Sequence, residues 1–154
     1  MSPQKLFWPL LLFLLAALGL VTVNASQSLQ ASVLTGTVEK AIDEMTASGR
    51  RGSSGWSAHQ LRLLDRAASL DPALINIRVN RGLVQLVAQK PQAAIRALEQ
   101  ALEHEERAEI YANLGQAHNL AGDRKKANEA FQKAFALDPG LRRKLRKHVA
   151  YSQE

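Results

Sequence analysis

The sequence predicts an all-α fold: a short superhelix of helix–turn–helix repeats closed by a C-terminal capping helix. Three observations carry that prediction. Apolar residues recur at helical spacing through much of the 154-residue chain. A 33-residue unit recurs between residues 75–107 and 108–140. Aromatics make up only 5% of the chain, with nine Gly and five Pro, which suits helices better than a turn-rich β-sandwich. At 46% apolar and 22% charged, the composition is that of a globular chain, long enough for one small domain with attachments. There is no cysteine, which excludes a disulfide framework, a thiolate zinc site, a cysteine nucleophile and a lipidated cysteine.

Residues 1–25 read as an address and stand apart from the fold. Lys5 and the α-amino group form a short positive region, and Leu6–Val23 supplies 18 nearly continuous apolar residues. Val23-Asn24-Ala25 puts small residues where a signal peptidase inspects them, so a signal peptide cut after Ala25 is expected. The alternative is an uncleaved anchor, because such a run at about 1.5 Å per residue spans about 27 Å, nearly a bilayer core. Lys40 is the next basic residue after Lys5, so the positive-inside bias keeps the N-terminus in the cytoplasm. Both versions therefore deliver the rest of the chain outside, to a periplasm, a lumen or the medium. The second version makes a single-pass membrane protein.

Residues 26–56 read as a linker. Ser26, Gln27, Ser28 and Gln30 lead a small, polar stretch over 26–36 that is expected to be extended. Val38, Ala41, Ile42 and Met45 then fall opposite Glu39, Lys40, Asp43 and Glu44, which predicts a short amphipathic helix over 37–48, ended by Gly49. Arg50-Arg51-Gly52-Ser53-Ser54-Gly55 is a flexible basic loop. It lacks a flanking strand and a Gly-Lys-Ser/Thr ending, so it is no phosphate cradle. Ser57 is expected to cap the next helix, with Gln60 completing a capping box and Trp56 stapled onto Leu61. That helix runs through Leu64, Ala67, Ala68 and Leu70 to Asp71-Pro72, where proline closes it.

At a shift of 33 residues Gly82 falls on Gly115, Ala94 on Ala127, Leu98 on Phe131 and Ala101 on Ala134. Small residues recur where two helices approach closely, and large ones where a gap must be filled. Leu64, Ala67 and Pro72 match Phe131, Ala134 and Pro139, so 57–72 is a half repeat ahead of two full ones. Ala108–Gly140 resembles a tetratricopeptide repeat (TPR) nearly place for place. It has Tyr111, Leu114, Gly115, Ala117 and His118, then Gly122-Asp123, then Ala127, Phe131, Ala134 and Pro139, with His118 replacing the usual Tyr. The 75–107 copy is degenerate, with Arg78 for an aromatic, Arg81 for Leu, Gln89 for the turn Gly and Glu106 for the closing Pro. The resemblance covers 57–140 and implies a right-handed superhelix. Residues 141–154 carry Leu141, Leu145 and Val149 on one stripe among Arg142, Arg143, Lys144, Arg146 and Lys147, the pattern of a basic capping helix.

No catalytic, metal or cofactor motif accompanies this layout. His59, His104, His118 and His148 form no i,i+4 pair, and His118 sits where the repeat wants a packing aromatic. Glu103, Glu105, Glu106 and Glu109 straddle a helix connection with no nucleophile or base nearby in sequence, and there is no Gly-x-Ser-x-Gly elbow. The expectation is a non-enzymatic protein-binding module.

By resemblance, the first helices of the repeats line a concave groove. Its expected lining is Asn76, Val79, Asn80, Leu83 and Leu86, then Glu109, Ala112, Asn113, Gln116 and Asn119. Asn80 and Asn113 fall where asparagines grip a ligand backbone in TPR domains that bind chaperone C-termini. The basic residues that complete that carboxylate clamp are missing, so this ligand is rejected. The expected partner is a peptide or helix of an envelope protein, or, for an anchored chain, of a membrane complex such as a photosynthetic one. The helix at 37–48 is a further candidate occupant. Two copies stacked end to end would also lengthen an array this short.

The formal charge of +6 and pI near 10 invite a nucleic-acid partner, but the charge is localised. Residues 141–154 hold a net +4, Lys5 adds one, and the remainder is nearly neutral. Export and the lack of interleaved aromatics argue against nucleic acid. Anionic lipid or an acidic partner suits the basic end better.

Overall fold

The computed structural model describes residues 4–143, with side chains from Phe13 onward. The described residues form helices α1 (Gln4–Ala47), α2 (Ser54–Leu70), α3 (Ile75–Val87), α4 (Pro91–Leu102), α5 (Ala108–Leu120) and α6 (Arg124–Leu137), with no strand among them. They pair as hairpins α1–α2, α3–α4 and α5–α6, and adjacent hairpins pack through α2–α3 and α4–α5. Helix α1 also packs on α3, and α3 on α5, so these three line one face of the array. The architecture is the all-α, TPR-type superhelix that the repeat predicts.

The second and third hairpins close their turns by the same backbone device. After α5, Gly122 takes φ +82°, its N–H donating to Asn119 (3.0 Å) while the Asp123 N–H reaches back to His118 (2.9 Å). These bonds satisfy carbonyls that the helix end would leave unpaired. After α3, Gln89 adopts φ +57°, with Gln89 N–H on Leu86 (2.9 Å) and Lys90 N–H on Gln85 (2.9 Å). The turn survives the loss of glycine, at the cost of a strained side-chain-bearing residue. Pro91 then opens α4 where its missing N–H is harmless, and the Asp123 carboxylate caps α6 by accepting from Lys126 N–H (3.1 Å).

The small-against-large pairing of the repeat is visible in the packing. A Cβ on Gly82 would lie 2.6 Å from Leu98, and one on Gly115 would lie 2.7 Å from Phe131. Leu98 and Phe131 thus pack directly on helix backbone, and both are buried. Burying each such side chain contributes about 2–3 kcal/mol. Ala94, Ala101, Ala127 and Ala134 are buried around them and let the second helix of each pair sit close. Arg81, which departs from the repeat pattern, reaches Asp65 of α2 (2.7 Å) and joins two hairpins at the surface.

Several expectations are corrected. The stretch 26–36 is helical, and the 37–48 helix is the end of α1. Ala31, Thr35, Val38 and Ile42 make a buried stripe against α2 and α3, and Thr35 satisfies its hydroxyl on Ala31 C=O (2.7 Å). Helix α1 therefore supplies the missing half of the first repeat, and the described array has three hairpins where two and a half were expected. Helix α2 starts one turn early, capped by Ser53, whose Oγ accepts from Trp56 N–H (3.1 Å). Ser57 and Gln60, expected as a capping box, are buried inside the helix. Trp56 still packs in the same apolar cluster as Leu61, with its ring against Gly52. The basic loop is tied down by Gly52 N–H to Val87 C=O (2.9 Å). Of the capping helix only 141–143 falls within the described residues, and these are helical.

Candidate partner-binding groove

The face formed by α1, α3 and α5 carries an open depression of about 420 Å³. Asn76, Val79, Asn80, Leu83, Glu109, Ala112, Asn113 and Gln116 line it. Leu86 and Asn119 instead line an adjoining depression of about 650 Å³, which shares Gln116 with the first. The concave face is therefore two neighbouring hollows. Arg50, Arg51 and Thr46 flank the second. Leu141 lines the first, next to Ala112 and Gln116.

The charged lining residues that sequence reasoning missed are Glu39, Asp43 and Arg107. Glu39 comes from α1, and its Oε1 accepts from Asn80 Nδ2 (3.1 Å) and Asn76 Nδ2 (3.4 Å). Asn76 Oδ1 in turn accepts from Arg107 Nη1 (3.2 Å), whose Nη2 donates to Glu105 (2.7 Å). One chain of hydrogen bonds thus runs from α1 through α3 to the residue that opens α5, and fixes the spacing of the three first helices. Asn80 is buried and held by the protein's own carboxylate, so it is a structural bridge here and does not grip a ligand backbone. Asn113 and Gln116 stay half-buried on the wall.

The lining of the first hollow leans acidic. Glu39, Asp43 and Glu109 contribute carboxylates, and the cation among them, Arg107, is engaged by Glu105. That hydrogen bond holds the Glu105 carboxyl below its ordinary value. Tyr111, on the outer side of α5, donates to Glu106 (2.7 Å), which raises its phenol pKa, and Lys133 lies over its ring at 5.2 Å. His118 is buried as core filler between α5 and α6. Among the described residues no three His, Cys, Asp or Glu side chains cluster as a metal site would need.

Of the expected basic patch, Arg142 stacks on the Phe135 ring at 5.3 Å and Arg143 is exposed. Lys144, Arg146 and Lys147 lie outside the described residues.

Residues 108–141 match the tetratricopeptide repeat family model. The match covers α5, α6 and the turn that follows, the hairpin in which Phe131 packs on Gly115. The fold is also similar to a crystal structure of a thermophilic TPR protein from Thermus thermophilus. The TM-score is 0.57 and the identity 26%, over 64% of this chain and 50% of that one. The chain thus spans half the length of that protein. No curated protein matches the chain. Family match and fold together show a tetratricopeptide repeat at 108–141 within an array of TPR-type fold.

Proposed function

We propose that this protein is a non-enzymatic assembly factor that holds a segment of a partner protein in the α1–α3–α5 groove, outside the cytoplasm. The observation that carries the proposal is the groove itself, a concave wall built by three first helices and braced by the Glu39–Asn76–Arg107 network. Its carboxylates favour a partner segment bearing Lys or Arg, and Val79 and Leu83 offer it an apolar contact. A cationic helix or strand of an envelope or membrane protein fits that chemistry. The expected capture assay is a pull-down of the full chain from its own cells. Glu109→Arg, on an exposed wall position, lowers recovery of the partner about tenfold, which corresponds to about 1.4 kcal/mol. Equal recovery by wild type and Glu109→Arg contradicts the groove as the binding surface.

A specific observation favours the anchored version of this function. Among the described residues, Phe13–Ala47 is the one helix long and apolar enough to cross a membrane. The same unbroken helix runs from that apolar run into the buried stripe at Ala31, Thr35, Val38 and Ile42. A wall of the groove is in this way continuous with the segment proposed to hold the protein in the bilayer. The mass of the chain isolated from its own membranes decides between the versions. An intact N-terminal segment supports the anchor, and a chain beginning at Ser26 restores the exported, soluble version.

A further inference from the structure

We infer that the α1–α2 seam at the start of the array rests on the membrane surface, with lipid as its occupant. The inference depends on the anchored version of the function above. In the apolar run Phe13, Leu14, Leu15, Leu18, Leu20, Val21 and Val23 are all exposed, on every side of α1. Past Val23 the helix becomes two-faced. Ala31 and Thr35 turn into the core, while Leu29 and Val33 stay 66% and 62% exposed. Spaced four apart, these two lie on one stripe of the helix. With Gln30, Leu34, Arg66 and Leu70 they line a shallow depression of about 330 Å³.

Position along the helix selects the occupant. At about 1.5 Å per residue, Leu29 sits about 9 Å and Val33 about 15 Å beyond Val23. The headgroup layer extends about 5–8 Å past the hydrocarbon on each side. Leu29 thus falls at the outer edge of this layer and Val33 beyond it. A lean of the anchor toward the seam of about 40°, the upper end of the range such helices show, brings Val33 and the end of α2 down to it. The exposed residues that follow on α1 are Gly36, Thr37 and Lys40, so large apolar exposure ends where the lipid would end. A second copy of the chain gives no reason for it to end there. Arg66, exposed and lining the same depression as Val33 and Leu70, supplies a cation at the rim, placed to meet a lipid phosphate. Asp71, next to Leu70, has its carboxylate occupied by the Ser28 hydroxyl (2.7 Å) and the Ala73 N–H (3.1 Å).

The absence of cysteine makes the test direct. Single cysteines replace Leu18, Leu29, Val33 and Lys40 in the full chain, each is nitroxide-labelled, and the chain is reconstituted in phosphatidylcholine vesicles with a minor share of phosphatidylglycerol. Accessibility to oxygen and to a water-soluble nickel chelate is read for each label. The expected result is a lipid-buried label at 18, with chelate accessibility at 29 and 33 several-fold below that at 40. A buried label at 18 with 29 and 33 as wet as 40 overturns the seam contact and leaves the anchor standing. A wet label at 18 overturns the anchor and the seam contact together. Spin–spin broadening at 29 and 33, lost on dilution with unlabelled chain, assigns the seam to a second copy and overturns lipid as its occupant.

Discussion

Gln89 carries the clearest backbone strain among the described residues, because it is the non-glycine residue held at positive φ (+57°). Its equivalent in the next repeat is Gly122, at φ +82°. A left-handed conformation costs an ordinary residue about 1–2 kcal/mol, part of which glycine returns through its larger unfolded-state entropy. Gln89→Gly is therefore expected to stabilise the protein by about 0.5–1 kcal/mol, read as a higher urea midpoint in mild detergent. A lower midpoint contradicts the strain.

Asp123 makes a prediction of a different kind. Its carboxyl is held below the ordinary range, first by the Lys126 N–H it accepts at the start of α6 and then by nearby positive charge. A depressed folded pKa contributes stability that is present above the unfolded value and lost as pH falls through the folded one. The urea midpoint is expected to drop below about pH 4, where unfolded aspartate begins to protonate. Asp123→Asn is expected to flatten that drop, with Glu105, shifted the same way by Arg107, supplying the remainder. An unchanged pH profile in Asp123→Asn contradicts the cap as its source.

At the scale of the element, α1 is the departure from expectation. Helices α5 and α6 were legible because their glycine, alanine and phenylalanine sit at repeat spacing and their partners are near in sequence. The contribution of α1 was obscured by composition, since Ser26, Gln27, Ser28 and Gln30 look like linker. Its ties also cross 37–43 residues of sequence, as with Asn76 on Glu39 and Ser28 on Asp71. The stripe Ala31, Thr35, Val38, Ile42 was nonetheless present in the sequence at helical spacing. The groove was half legible for the same reason: α3 and α5 were read from the repeat, while Glu39 and Asp43 lie on a stretch read as a helix of the linker and not as part of the array.

If α1 is the first helix of the array, its amides from 31 to 47 exchange with solvent as slowly as those of α3. Val38→Asp buries an unpaired carboxylate between α1 and its neighbours, and is expected to destabilise the whole array by about 3 kcal/mol or more. Fast exchange over 31–47, or an unchanged urea midpoint in Val38→Asp, contradicts the third hairpin.

Taken as a whole molecule, the chain joins a membrane-length apolar helix, a three-hairpin stack and a basic end. The charge suggestive of nucleic acid in the composition belongs to that end, where Arg142 already lies on Phe135. The hollow between α1, α3 and α5 is acidic by contrast, which suits a different partner under the proposed function. The sharpest test is site-specific photo-crosslinking in the native cell, with a photoreactive amino acid at Asn113 on the groove wall or at Arg96, exposed on α4. If α1, α3 and α5 form the partner's seat, the Asn113 probe captures one discrete protein and the Arg96 probe does not. Capture of that protein from Arg96 but not from Asn113 contradicts the groove as the functional surface.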